Sequence, residues 1–282
     1  MDPADAGAVN PAFFTGIAMP SRHPALRTFS CLLSIGAALL LAGCAHRPAS
    51  EQQASRWQHA RQLVLVTTAD WNSNRGTLRS YRRTPGNEWE AVSVAFPVVI
   101  GRAGSAWGIG LHDIPQPGNG PIKQEGDGRS PAGVFAIGEA FGYAQTVDTA
   151  LPYVAMQASD YCIDVSGSPL YNRIVDANEV GADAVKDSTE PMRRDLHVDG
   201  DQRYREGFVI EHNPRGTPAA GSCIFAHLWK SPDSSTAGCT AMDPAAMQSL
   251  LAWLDAKQRP VFVLLPQSEY DRLHAAWQLP AL

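Results

Sequence analysis

The chain has 282 residues, 44% hydrophobic and 18% charged. That apolar content can fill one large core or two small ones and excludes a wholly disordered chain. With 23 basic against 28 acidic residues the net charge is −5, which excludes the basic excess expected of a nucleic-acid partner. The 24 Gly and 21 Pro favour turns and short strands over a helical bundle.

Residues 29–42 read FSCLLSIGAALLLA and follow Arg22 and Arg27. Fourteen residues are too few to cross a bilayer as a helix, but they suit the apolar core of a signal peptide. The run ends in Leu41-Ala42-Gly43-Cys44, which resembles a bacterial lipobox. The resemblance implies cleavage before Cys44, a diacylglycerol on its thiol, and a membrane partner reached through that anchor. Ala45 in place of Asp implies the outer rather than the inner membrane, on the periplasmic side. Residues 1–18 lack a basic leading region, which makes Met19 a candidate start. Residues 1–43 are thus expected to be signal peptide, and 44–61 the lipidated Cys and a polar tether.

Seven β-rich runs follow: Leu63 to Thr68, Thr77 to Arg82, Trp89 to Ile100, Gly133 to Ile137, Phe208 to Glu211, Ile224 to Trp229 and Val261 to Leu265. Turn signals such as Thr84-Pro85-Gly86-Asn87 separate them. One helix is well specified: Asp243 can cap it, Pro244 fits its first turn, and Met247, Leu250, Leu251 and Leu254 make one apolar stripe. The expected fold is mainly β, a curved β-sandwich or barrel-like sheet with a few helices over residues 62–266, before a C-terminal tail at 267–282. Within it, residues 170–207 are charged and strand-poor, either a solvated helical insertion or a flap beside a site.

Five cysteines are present. Cys31 leaves with the signal and Cys44 carries the lipid, so Cys162, Cys223 and Cys239 remain in an oxidising compartment. Three thiols cannot all pair within one chain. Cys162–Cys223 and Cys223–Cys239 are both open pairings, and the second would hold Cys239 oxidised until reduced. Cys239 follows Gly238, which allows close backbone approach or positive φ, and it precedes the capped helix. That helix N-terminus is expected to favour a thiolate and to add backbone donors for an oxyanion. Twelve residues upstream, His227 lies in an apolar strand that can return beside Cys239. A thiol to attack a carbonyl and an imidazole to move protons are what acyl transfer needs.

The segment GSCIFAHLWKSPDSSTAGCTAM (residues 221–242) resembles the catalytic signature of the L,D-transpeptidase (YkuD-type) family, in the branch that reads Thr-Ala-Gly-Cys. Residues 123–135, KQEGDGRSPAGVF, resemble that branch's KxEGDGxxPAGVF motif. Cys162-Ile163-Asp164 with Tyr171-Asn172-Arg173, and the stretch from Val99-Ile100-Gly101-Arg102 to Trp107-Gly108, are similar too, all in order. The sequence departs from the wider family at Ala237, where a His is usual, and at Ala241, where an Arg is usual. Donor specificity is what these departures touch.

The resemblance implies an L,D-transpeptidase-like fold and no cofactor. It implies that Cys239 attacks a peptidoglycan stem tetrapeptide, with release of D-Ala and cross-linking between third-position residues, and that the enzyme is sensitive to carbapenem-type agents. Water as acceptor would make the site an L,D-carboxypeptidase, and a dead site would leave a lipid-anchored wall-binding protein. The expected catalytic residues are Cys239, His227 and Gly238, the last for its N–H. Thr236, Trp107, Lys123 and Arg129 are the expected substrate contacts, with bracing of a turn or the core as the alternative for the last three. His212 could orient His227. His197, His212, His227 and Cys239 lack the tight spacing of a zinc site, and no metal is expected.

Overall fold

The computed structural model describes residues 56–113 and 120–282. The signal segment, Cys31 and the lipidation candidate Cys44 lie outside the described residues. The strands run in chain order β1 (Gln62–Thr68), β2 (Arg75–Arg83), β3 (Trp89–Ala91), β4 (Phe96–Val99), β5 (Ser105–Trp107), β6 (Ser130–Gly142), β7 (Tyr153–Ala155), β8 (Asp160–Cys162) and β9 (Ile174–Asp176). Two four-residue helices follow, α1 (Ala177–Val180) and α2 (Ala182–Val185). Then come β10 (Glu190–Pro191), α3 (Arg194–His197), β11 (Glu206–Ile210), β12 (Phe225–Leu228), β13 (Thr240–Met242), α4 (Pro244–Trp253), β14 (Val261–Pro266) and α5 (Gln267–Leu273).

Eight strands close a barrel in the order β1-β14-β6-β11-β12-β13-β4-β2, sealed by the β1–β2 pairing. Closure leaves no unpaired edge along this circuit. The mainly β class is therefore as expected, with barrel rather than sandwich geometry. Strands β1 and β14 are buried at almost every position, because α5 packs on them from outside while the core fills the inside. This is why both read as unbroken apolar runs instead of alternating ones.

The seven predicted strands all have counterparts, but the run from Trp89 to Ile100 splits. Val92 and Val94 are exposed between β3 and β4. The domain also reaches beyond 62–266. Trp57, placed in the tether, and Trp277, placed in the tail, are buried edge-on against each other with ring centroids 5.5 Å apart. Trp107 belongs to the same packing, 6.4 Å from Trp277 and 5.2 Å from Trp71. At 1% exposure it is core and no substrate contact, since large indoles gain most from leaving water.

Helix α4 forms as the sequence specifies. Asp243 accepts from Ala245 N at 2.8 Å, and Met247, Leu250, Leu251 and Leu254 are buried.

Strands β8, β9 and β10 form a separate three-stranded sheet within residues 156–205. The charges there pair with one another. Arg193 meets Asp195, Arg194 meets Glu190 and Asp201, and Arg203 meets Asp201. On the inner side Met156, Cys162, Met192 and Tyr204 join Phe141, Cys223, Phe225 and Cys239 in a second apolar cluster. Of the charged insertion at 170–207, Met192 and Tyr204 thus pack beside Cys239 as a cover, while the helices α1 and α3 bury no residue and face solvent.

Candidate active site

Cys239 sits on the loop that returns from β12 into β13, and two hydroxyls pin its backbone. Thr236 Oγ1 donates to Cys239 O at 2.6 Å, and Ser130 Oγ donates to the same carbonyl at 3.1 Å. Ser130 in turn accepts from Gly101 N at 2.9 Å. Gly238 is glycine for space: a Cβ there would lie 3.1 Å from Arg129 O and 3.3 Å from Ile224 Cδ1. Its N–H donates to Thr236 Oγ1 at 3.2 Å. The expected oxyanion donor at Gly238 is therefore occupied in this state, and Thr236 shapes the loop rather than facing a ligand.

The thiol is 7% exposed. Phe225 N–H donates to Sγ at 3.4 Å, and Sγ lies 3.5 Å from Cys223 O as a donor. Burial pushes the thiol up to about 12, and the nearby charge of Glu190 adds to that, against the pull of Phe225 N–H, Lys123 and Arg194. The group is a neutral thiol at neutral pH. The expected help from a helix N-terminus is absent, because β13 stands between Cys239 and α4.

Strands β12 and β13 are parallel partners, with Ala226 opposite Thr240 and His227 opposite Ala241. Alternation along β12 puts Phe225 and His227 on one face, and Cys239, in the bend just before β13, joins Phe225 and Tyr204 in one apolar cluster. His227 Nδ1 bonds to Leu228 O at 2.8 Å, not to Cys239. Burial lowers the imidazole to about 4, opposed by the Leu228 carbonyl, so it is uncharged. Tyr204 packs edge-on against it at 5.2 Å, and the Tyr204 hydroxyl donates to Glu190 Oε2 at 2.7 Å. The expected pair is present as two neutral groups, with no hydrogen bond between them among the described residues.

The three remaining cysteines resolve as one bridge and one thiol. Cys162 and Cys223 form a disulfide, which ties β8 of the cover to the loop entering β12, and Cys239 is free. Beside the thiol opens a cavity of about 200 Å³ whose charged lining residues are Arg102, Lys123, Glu125, Asp164 and Glu190.

Of the expected substrate contacts, Lys123 reaches this cavity, though its Nζ is held by Asp127 Oδ1 at 2.5 Å and Gln124 O at 2.7 Å. Arg129 does not reach it. Its guanidinium donates to Trp71 O, Ser105 O and Asn72 Oδ1, which braces the loop before β6. His212 bonds to Ala220 O and accepts from Ile109 N, so it does not orient His227. His197 bonds to Ala158 O, and the histidines considered for zinc do not converge.

Sequence reasoning missed Ser130, Glu190, Tyr204 and Arg102 as neighbours of the thiol. Ser130 and Arg102 lay inside quoted motifs, whereas Glu190 and Tyr204 carried no local signal. Searches against family models, curated proteins and solved structures found no match for this chain.

Proposed function

We propose that this protein is a cysteine acyltransferase of the L,D-transpeptidase type acting on peptidoglycan stem peptides. One observation carries the proposal: a free thiol with a doubly pinned backbone borders a cavity with charged groups in its wall, and Tyr204 packs beside both this thiol and an uncharged imidazole. The four ordered motifs support the same reading, and the barrel would be that family's fold. The lipid anchor at Cys44 would hold the protein at the periplasmic face of the outer membrane.

In this mechanism Cys239 Sγ attacks the carbonyl of the third stem residue, and its proton passes to neutral His227. The C–N bond to D-Ala breaks, D-Ala leaves as the amine with the proton from His227, and a thioester remains. The side-chain amine of a diamino acid on a second stem then attacks, loses a proton and displaces the thiol, which forms the cross-link. Water in place of the amine gives hydrolysis and a tripeptide. An uncharged imidazole can accept the thiol proton, so no preformed ion pair is required. The buried thiol has to be uncovered first, which assigns the 156–205 segment a gating role.

A second reading, a wall-binding protein with an inactive site, draws on the protonated thiol and its missing bond to His227. Purified protein is incubated with disaccharide-tetrapeptide and the products are followed by mass spectrometry. D-Ala release and dimer formation, both abolished in Cys239→Ala, are expected. Wild type indistinguishable from Cys239→Ala would establish the second reading.

A further inference from the structure

The charged groups around the Cys239 cavity differ in what they have left to bind. Glu125 accepts from Ser222 Oγ, Tyr171 OH and Gly126 N. Asp164 accepts from Thr189 N and Thr189 Oγ1. Glu190 accepts from Tyr204 and Arg194. Lys123 has its ammonium on Asp127 and Gln124 O. Arg102 alone among these groups has no side-chain partner among the described residues. Only its backbone is engaged, through Arg102 N to Thr236 O at 2.9 Å.

That backbone bond matters, because Thr236 is the residue whose hydroxyl holds Cys239. Arg102 is therefore anchored two hydrogen bonds from the nucleophile, with its side chain at the cavity wall. Gly128 leaves room for the side chain. A Cβ at Gly128 would lie 2.8 Å from Arg102 Cζ, and the φ of +68° there already disfavours other residues. The Arg102 guanidinium, exposed at the cavity and with no side-chain partner among the described residues, selects an anion, and a planar carboxylate matches its fork. Besides Lys123, whose ammonium is on Asp127, the charged groups of the wall are the carboxylates Glu125, Asp164 and Glu190, which suits a ligand whose carboxylate is accompanied by an ammonium group.

We infer that Arg102 is the specificity residue that binds the terminal carboxylate of the peptide cleaved at Cys239. The inference rests on the acyltransferase reading for its substrate, since the D-Ala to be expelled ends in a carboxylate one residue beyond the attacked carbonyl. It also provides a cation near the thiol in a sequence that carries Ala237 and Ala241.

The test uses the full chain with Cys239→Ala, so that binding is read without turnover. The probe is an N-acetylated tetrapeptide ending in diamino acid–D-Ala, as free acid and as C-terminal amide, titrated calorimetrically. The acid is expected to bind about 10- to 100-fold more tightly than the amide, the range of one charge-assisted pair. In Arg102→Gln that preference should vanish, and Arg102→Lys should restore part of it. Equal binding of acid and amide, a preference that survives Arg102→Gln, or no binding of either peptide would overturn the inference. D-Ala release by the protein with Cys239 intact is measured separately. A carboxylate preference lost in Arg102→Gln, with no D-Ala released, would sustain the binding residue and remove the acyltransferase reading. D-Ala release unchanged by Arg102→Gln would do the reverse.

Discussion

In the barrel, β1 and β14 bury residue after residue on both faces, and their register is held by ladders to β2 and β6. In the 156–205 segment the strands are two or three residues long, and what holds them is a disulfide, a set of ion pairs and a few apolar anchors. The first region is stabilised by area removed from water, which is hard to undo locally. The second depends on individual polar and covalent contacts, each of which can be removed alone. Cys239 lies at the seam between them. A rigid wall thus fixes its backbone, while a separable one covers its sulfur.

The largest test of this contrast is Phe262→Ala on β14. Phe262 is fully buried between β1 and β6, so its loss should cost about 3–5 kcal/mol and shift the whole urea transition. A similar loss confined to the cover would break the comparison.

Acid should come next. Burial holds His112, His212 and His227 to about 4, so each is uncharged in the folded chain. Their unfolded forms take up protons below about pH 6.5. The stability they contribute is therefore complete above that pH and is lost as it falls toward 4. Urea midpoints that stay level between pH 7.5 and pH 5 would contradict this.

Reduction of Cys162–Cys223 should cost about 2–4 kcal/mol, and its effect should stay local. Iodoacetamide labelling of Cys239, located by peptide mapping, should accelerate at least tenfold, as flap opening exposes the thiol. The barrel's circular dichroism should not change. Unchanged labelling would mean that the disulfide does not hold the cover.

Tyr204→Phe is the smallest change, removing one hydrogen bond to buried Glu190 for about 1–2 kcal/mol. Labelling of Cys239 should rise modestly while His227 keeps its aromatic neighbour. A loss as large as that of Phe262→Ala would show that the two regions unfold as one.

Much of the barrel could be read from the chain because its strands carry their own signal. Apolar runs as short and β-branched as Leu63 to Thr68 and Val261 to Leu265 fit buried strands by length and composition. Asp243-Pro244 with its apolar stripe is likewise a local device, and it folds as such. β13 escaped notice because three residues make no period, although it carries the chain away from Cys239. The cover was ambiguous for a different reason. Its charges looked solvent-bound until Arg194, Glu190 and Asp201 were found facing one another.

By itself, the sequence determined that the protein is mainly β, that Asp243 caps α4, and that His227 lies on a strand. These follow from local periodicity and caps, each legible within a dozen residues. Only the tertiary structure decided that Cys162 bonds Cys223 and that Trp107 fills the core. It also decided that Arg129 braces a loop, that the Arg102 side chain has no partner among the described residues, and that burial keeps the thiol protonated. Those outcomes depend on which distant groups meet and how much water they exclude, and neither quantity is written in the order of residues along the chain.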